Sequence, residues 1–289
     1  MRQVSGEGTE VKYLKAPTDH TPHDRNPFTS DGNYGPSWAG LSLVKEGTTF
    51  IGTSRSGLFY YQYDIQKPVT KATVADFLRY ENGLNRTPVF FCAEDLDLDA
   101  FVVRALDSTP PAHIVRDVDP EHLVHSTDIQ AGKSILRDGE IKAFSRLVRE
   151  GRSPDWHKLR SDYSLGEPLE YANYVNLGAI ESPWVETVPA SHTAGRFLTP
   201  EDEYEPGMRF YFDGHKIIRA GLDVRVPGAT IKVLDSLPLG PFLVEVVRAS
   251  DVDLPRRTGN WTSTLFTEAA NKAFFKRLNC QPSQAALDV

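Results

Sequence analysis

In LVHSTDIQAGKSILRDGEIKAFSR, residues 123–146, an apolar strand ends in His125, Ser126 and Thr127 just where the chain turns into a helix. One hydroxyl has a ready use: Thr127 or Ser126 at the N-cap of a helix from Ile129 to Arg137, with Gly139 as its left-handed stop. Capping does not require His125, so the histidine is the residue with chemistry to offer. Two other features ask for partners. Glu245 interrupts the apolar run FLVEVV, where a carboxylate needs a partner or a cleft. Lys133, Arg137, Lys142, Arg146, Arg149 and Arg152 gather in one stretch and could line a groove that holds a nucleic-acid single strand by its phosphates. The common motifs are missing: there is no GxxxxGK[ST], no GxGxxG after a strand, no HExxH, no GxSxG and no CxxC. An enzyme made from this chain therefore works with dispersed polar residues on a β-rich scaffold.

The 289 residues, 40% of them hydrophobic, are enough for one large domain or two small ones. A net charge of -7 denies the molecule the general positive field that non-specific binding to a phosphate backbone needs. Cys92 and Cys280, far apart in sequence, cannot alone make a zinc cluster or a disulfide framework, which suits a reducing compartment. No stretch approaches the roughly 20 apolar residues of a membrane span. The opening MRQVSGEGTEVKYLK has no signal-peptide core. The expectation is a cytoplasmic protein with no membrane partner.

Along the chain, residues 1–37 are rich in Pro, Gly, Asp and Asn and read as coil or a wrapping arm, with His20 and His23 in solvated loop. Residues 38–110 form an α/β segment of unassigned role. Short strands GLSLV, TTFIGTS and GLFYYQYDI lead to a helix from Thr73 to Gly83, the strand PVFFCA, and EDLDLDAFVVRAL, whose acids suit the first turn of a helix. The Pro-rich DSTPPAHIVRDVDP places a boundary near residues 107–120. Residues 120–289 form the third part. After the opening stretch come the β-rich runs YANYVNLGAI, PWVETVPAS, GMRFYFDGHKII, ATIKVLDS and PFLVEVVRA, then an amphipathic helix TSTLFTEAANKAFFKRLN that packs on the sheet. Few helices separate these runs, so the expected fold class is α+β with a split, antiparallel-rich sheet, not a doubly wound βαβ array.

The strand ending His125-Ser126-Thr127-Asp128, followed by Ile135-Leu136, Gly139, Ile141 and Arg146, resembles the nicotinamide-binding unit of ADP-ribosyltransferase-like folds. It is most similar to the DNA-targeting ADP-ribosyltransferase toxins (the DarT-like group) and the tRNA 2′-phosphotransferases. More weakly, YANYVNLGAIESP, with Tyr174, is similar to the toxins' Tyr-Val strand and Ser-Pro turn, and RFYFDGHKIIRAG to their strand, Asp and short helix. The resemblance spans about residues 120–250 and leaves the first 110 without a counterpart. It implies an ADP-ribosyltransferase that uses NAD as substrate and cleaves the nicotinamide glycosidic bond through a ribose cation. His125 would take a ribose hydroxyl and the Ser126 backbone the carboxamide, with Thr127 and Tyr174 beside them. Arg146 or Arg137 would pair with the pyrophosphate. Glu245 would be the catalytic carboxylate, acting with His125, although Glu203 and Glu205 in TPEDEYEPG have the Glu-x-Glu spacing of another branch of the fold. The acceptor stays open among a protein, a small molecule and a single-stranded nucleic acid. Two rival readings stand beside this one: transfer of an RNA 2′-phosphate to NAD, which needs arginines more than a carboxylate, and a non-catalytic binding module of the same fold.

Overall fold

The computed structural model describes residues 1–6, 9–47, 49–110, 113–152, 168–226, 230–253 and 260–280. They form a mixed α+β protein in two compact units. One unit comprises Met1–Asp119 with residues 168–172 and Ile218–Lys232; the other comprises Pro120 onward with Asn173–Ile217 and the chain from Val233.

The amino-terminal residues are not all coil. β1 (Arg2–Gly6) and β2 (Thr9–Lys15) pair antiparallel. Val11 and Tyr13 alternate with exposed Glu10 and Lys12, and both apolar side chains are fully buried. β3 (Trp38–Val44), β4 (Phe50–Thr53), β5 (Phe59–Asp64), α1 (Val69–Gly83), β6 (Thr87–Cys92) and α2 (Leu98–Ser108) complete the first unit's main body. The sheet order is β1-β2-β6-β3-β5-β4, with parallel pairing from β2 to β5 and antiparallel edges. α1 starts at Val69, earlier than Thr73, because Pro68 sets the first turn and the Thr70 hydroxyl donates to the Asp64 carbonyl. α2 is capped by Asp97, which accepts from the Ala100 N–H, and Asp99 occupies its first turn. The Pro-rich connector is anchored: Arg116 grips Asp76 at 2.9 and 3.0 Å and also bonds Asp119.

The second stretch of chain runs β7 (His122–Thr127), α3 (Ile129–Asp138), β8 (Glu140–Lys142), α4 (Phe144–Arg149), β9 (Tyr174–Ala179), α5 (Trp184–Ala194), β10 (Met208–Asp213), α6 (Gly214–Arg219), β11 (Asp223–Val226), β12 (Thr230–Leu234), β13 (Ser236–Pro238), α7 (Leu239–Phe242), β14 (Leu243–Arg248) and α8 (Ser263–Cys280). Within the second unit β9-β7-β10-β14 pair antiparallel in that order, and β8 pairs with β13. One β-rich run is a helix. PWVETVPAS lies in α5, where Pro183 takes the N-cap and the Thr187 and Ser191 hydroxyls donate to carbonyls four residues back. One sheet face is covered by α8, whose Phe266, Ala270 and Phe274 pack on Val124, Tyr211 and Val247. The other carries α3, where Gly132 sits so close to Met208 that a Cβ would fall 2.9 Å from its Cγ. Among the described residues no helix is long and apolar enough to cross a membrane.

Candidate functional site

The helix after His125 is capped by Asp128, whose carboxylate accepts from the Gln130 and Ala131 N–H groups at 2.7 and 2.8 Å. Neither Ser126 nor Thr127 is the cap. Gly139 ends the helix at φ 73°, as its type suggests. The two hydroxyls are therefore available for other work. Ser126, buried, donates to Glu186. Thr127 is half-buried at the strand end.

Side chains directly opposite in an antiparallel ladder share a face. His125 stands opposite Phe210 and Thr127 opposite Met208, so these four lie on the α3 face. The same strand pairs with β9 only at Leu123↔Ala179 and Val124↔Gly178. Among the described residues the β9-facing edge of β7 has no ladder partner from His125 to Thr127, while its β10-facing edge is paired throughout. At this opening the His125 side chain takes over: Nδ1 lies 3.2 Å from the Asn176 carbonyl oxygen of β9. A carbonyl can only accept, so Nδ1 carries the proton and Nε2 presents its lone pair. Burial holds the His125 pKa below the usual histidine value, against the upward pull of the Asn176 bond. The ring is thus a neutral, oriented acceptor.

That shift has a sign. The folded protein resists a proton that the unfolded chain takes up near pH 6.5, so His125 contributes stability above that pH and loses it as pH falls towards the lower folded value. His192 is depressed by burial in the same direction. Urea midpoints are expected to drop between pH 7.5 and 5.5, and His125→Gln should flatten part of that slope. An unchanged slope would mean that the ring is not desolvated.

The remaining candidates are not gathered around His125. Glu245 is opposite Tyr211, which is opposite Val124, so the ladder sets Glu245 on the α8 face, away from His125. There its carboxylate accepts from the Val246 N–H at 2.9 Å and lies 3.5 Å from Arg277. Arg146 has its donors engaged by Glu140, Glu150, Asp235 and Ser236 at 2.8 to 3.3 Å. Its basic neighbours are matched as well: Lys142 with Glu150, Arg149 with Asp235, Arg152 with Asp138. With Arg137 beside Asp138, every cation of the expected phosphate groove except Lys133 stands in an ion pair. Tyr174 opens β9, half-buried and on the strand face of Asn176. Glu203 and Glu205 are exposed in the loop before β10, where Glu203 bridges to Thr262. Among the described residues no cluster of His, Cys, Asp or Glu could hold a metal ion.

Behind β7 lies a group that sequence reasoning did not raise. Arg209, fully buried and opposite Ser126 in the ladder, donates to Glu186 Oε1 at 2.7 Å and to the Ile180 carbonyl at 2.6 Å. Tyr204 donates to Glu186 Oε2 at 3.3 Å, and burial beside that carboxylate raises its pKa far enough to keep the phenol protonated. The signal was present in MRFYFD, where a charged residue stands among buried apolar ones ahead of the half-buried Asp213 that ends the strand. No protein-family model, no curated protein and no solved structure matches the chain.

Proposed function

We infer that the second unit is an ADP-ribosyltransferase-like domain that takes NAD as substrate, with the opening between β7 and β9 receiving its nicotinamide ribose end. The observation that carries this reading is the opening itself: an unpaired strand edge beside a neutral histidine whose Nδ1 is already spoken for. Such an edge offers backbone donors and acceptors to a carboxamide. The Nε2 lone pair and the Thr127 hydroxyl on the same face suit the vicinal hydroxyls of a ribose. Only part of a dinucleotide is provided for in this way, because Arg146 already gives its donors to Glu140, Glu150, Asp235 and Ser236. The pyrophosphate therefore has no partner in that guanidinium.

In the reaction so read, the bond from ribose C1′ to the nicotinamide nitrogen breaks, its electron pair leaves with nicotinamide, and the ribose cation is captured by an acceptor. His125 and the strand edge hold the sugar and amide in place while charge develops. Glu245, on the other face, makes no contact with a ribose held by His125, so it contributes nothing to affinity. The 2′-phosphotransferase reading is weaker, since Arg146, Arg149 and Arg152 are held by acids.

Calorimetry with NAD tests this. His125→Ala should weaken binding about tenfold or more, a loss of roughly 1.4 kcal/mol or more, and Glu245→Gln should match wild type. Equal affinity for wild type and a folded His125→Ala overturns the assignment. Incubation with labelled NAD separates the roles: nicotinamide release marks an enzyme, whereas binding without release leaves a recognition module.

A further inference from the structure

We propose that Glu186 is the positioning residue of the His125 site, holding β7 and the end of β9 in the arrangement at which their ladder opens. This rests on the reading of His125 as the recognition group for its consequence in NAD binding, but not for its consequence in the imidazole itself.

One carboxylate gathers three elements. Its Oε1 accepts from Ser126 on β7 and from Arg209 on β10, and its Oε2 accepts from Tyr204 in the loop before β10. Glu186 stands in the first turn of α5, 2% exposed, so water does not replace any of these bonds. Arg209 carries the restraint further. Its second Nη donates to the Ile180 carbonyl, the residue after β9, and Asn271 of α8 donates to the same oxygen at 2.8 Å. Tyr211 in turn donates to Asn271. The end of β9 is thereby tied to β10 across the strand that bears His125.

The two ladder pairs that survive between β7 and β9 lie directly at this tie, at Leu123↔Ala179 and Val124↔Gly178. One residue beyond them, His125 meets the Asn176 carbonyl through its side chain. Ser126 is the next residue on β7 and points to the opposite face. Its bond to Glu186 fixes the depth of the strand at the position adjacent to the imidazole. Removing the charge of Glu186 loosens Ser126 and Arg209 together, and with Arg209 the Ile180 carbonyl. The separation of His125 from Asn176 is then no longer set.

A fold that merely loses stability leaves the ring of His125 as it was, so the ring is the readout. In uniformly ¹⁵N-labelled full-length protein, long-range proton–nitrogen correlation spectra report which ring nitrogen is protonated, with His125→Gln used to assign the signals. Wild type is expected to show the Nδ1–H form. Glu186→Gln, which keeps volume and an acceptor oxygen but loses the charge, should be folded, show a mixture of the two neutral forms, and bind NAD about tenfold more weakly, as when an orienting outer group is lost. Should Glu186→Gln fail to fold, Ser126→Ala, which leaves the Arg209 pair intact, carries the same test. A folded variant of either kind whose His125 ring keeps the wild-type form overturns the positioning role, whatever happens to NAD. A changed ring in a protein whose wild type binds no NAD upholds the positioning role and removes the NAD reading instead.

Discussion

Arg209→Met is expected to destabilise the second unit by about 3–5 kcal/mol, the loss typical of removing one partner from a buried ion pair. The guanidinium is fully buried, and its removal leaves the Glu186 carboxylate with only Ser126 and Tyr204 as donors. It also strips the Ile180 carbonyl of its strongest partner, with Asn271 remaining. Urea unfolding of the full chain, read by a probe in the second unit, measures the loss. The double variant Arg209→Met/Glu186→Leu should recover most of it, because an apolar pair of similar volume replaces a buried ion pair at little net cost. A single variant that costs under about 1 kcal/mol would show the pair to be equivalent to a surface one. The Glu245 to Arg277 contact is such a surface pair, with side chains 28% and 39% exposed, and Arg277→Ala should fall within about 0.5 kcal/mol of wild type.

Arg209 also marks how far the sequence could be read. The rule that singles out Glu245 in FLVEVV, a charge inside an apolar strand, applies with more force to Arg209 in MRFYFD, where the next three residues are fully buried aromatics. Its partner, Glu186, was hidden for a different reason. PWVETVPAS is rich in β-branched residues and contains Pro189, so it reads as strand, yet it folds as a helix whose first turn delivers the carboxylate. The α+β class, the Gly139 stop and the acidic first turn of α2 were legible because each depends on neighbours a few residues away. The cap was misplaced by a residue or two: Thr127 or Ser126 was expected and Asp128 does it, because all three are good cap types and periodicity cannot separate adjacent residues. The His125 partner was not legible at all: it is a backbone carbonyl 51 residues away, and backbone carbonyls carry no residue signature. The Arg146 set read as a basic groove because its cations cluster in sequence, while one of their acids, Asp235, arrives from β12's far side of the chain, 89 residues from Arg146. Residues 2–15 were obscured by the Pro-rich stretch that follows them; their own alternation, Val11 and Tyr13 between polar residues, is a strand signal.

The second large effect is expected at Gly207, the residue before β10. A Cβ built there overlaps the Thr127 carbonyl oxygen outright and comes 2.8 Å from the Asp128 Cα. Both obstacles are backbone, so no side chain can swing away to make room. β10 and the end of β7 must separate, and the residues displaced are Thr127 of the opening and Asp128, which caps α3. Gly207→Ala should therefore cost at least the roughly 3 kcal/mol at the top of the overpacking range. If the proposed NAD site is right, any folded population should also bind NAD less tightly, because Thr127 no longer sits beside His125. Gly240→Ala is the control: it lies in α7, nothing stands within 4 Å of its added methyl, and its φ is not positive. That variant should be neutral or gain a few tenths of a kcal/mol from the stiffer unfolded chain. Thermal or urea unfolding of the two variants side by side decides the point. If Gly207→Ala is as stable as Gly240→Ala, the close approach of the β10 start to the strand end does not hold in solution, and the placement of Thr127 at the opening falls with it.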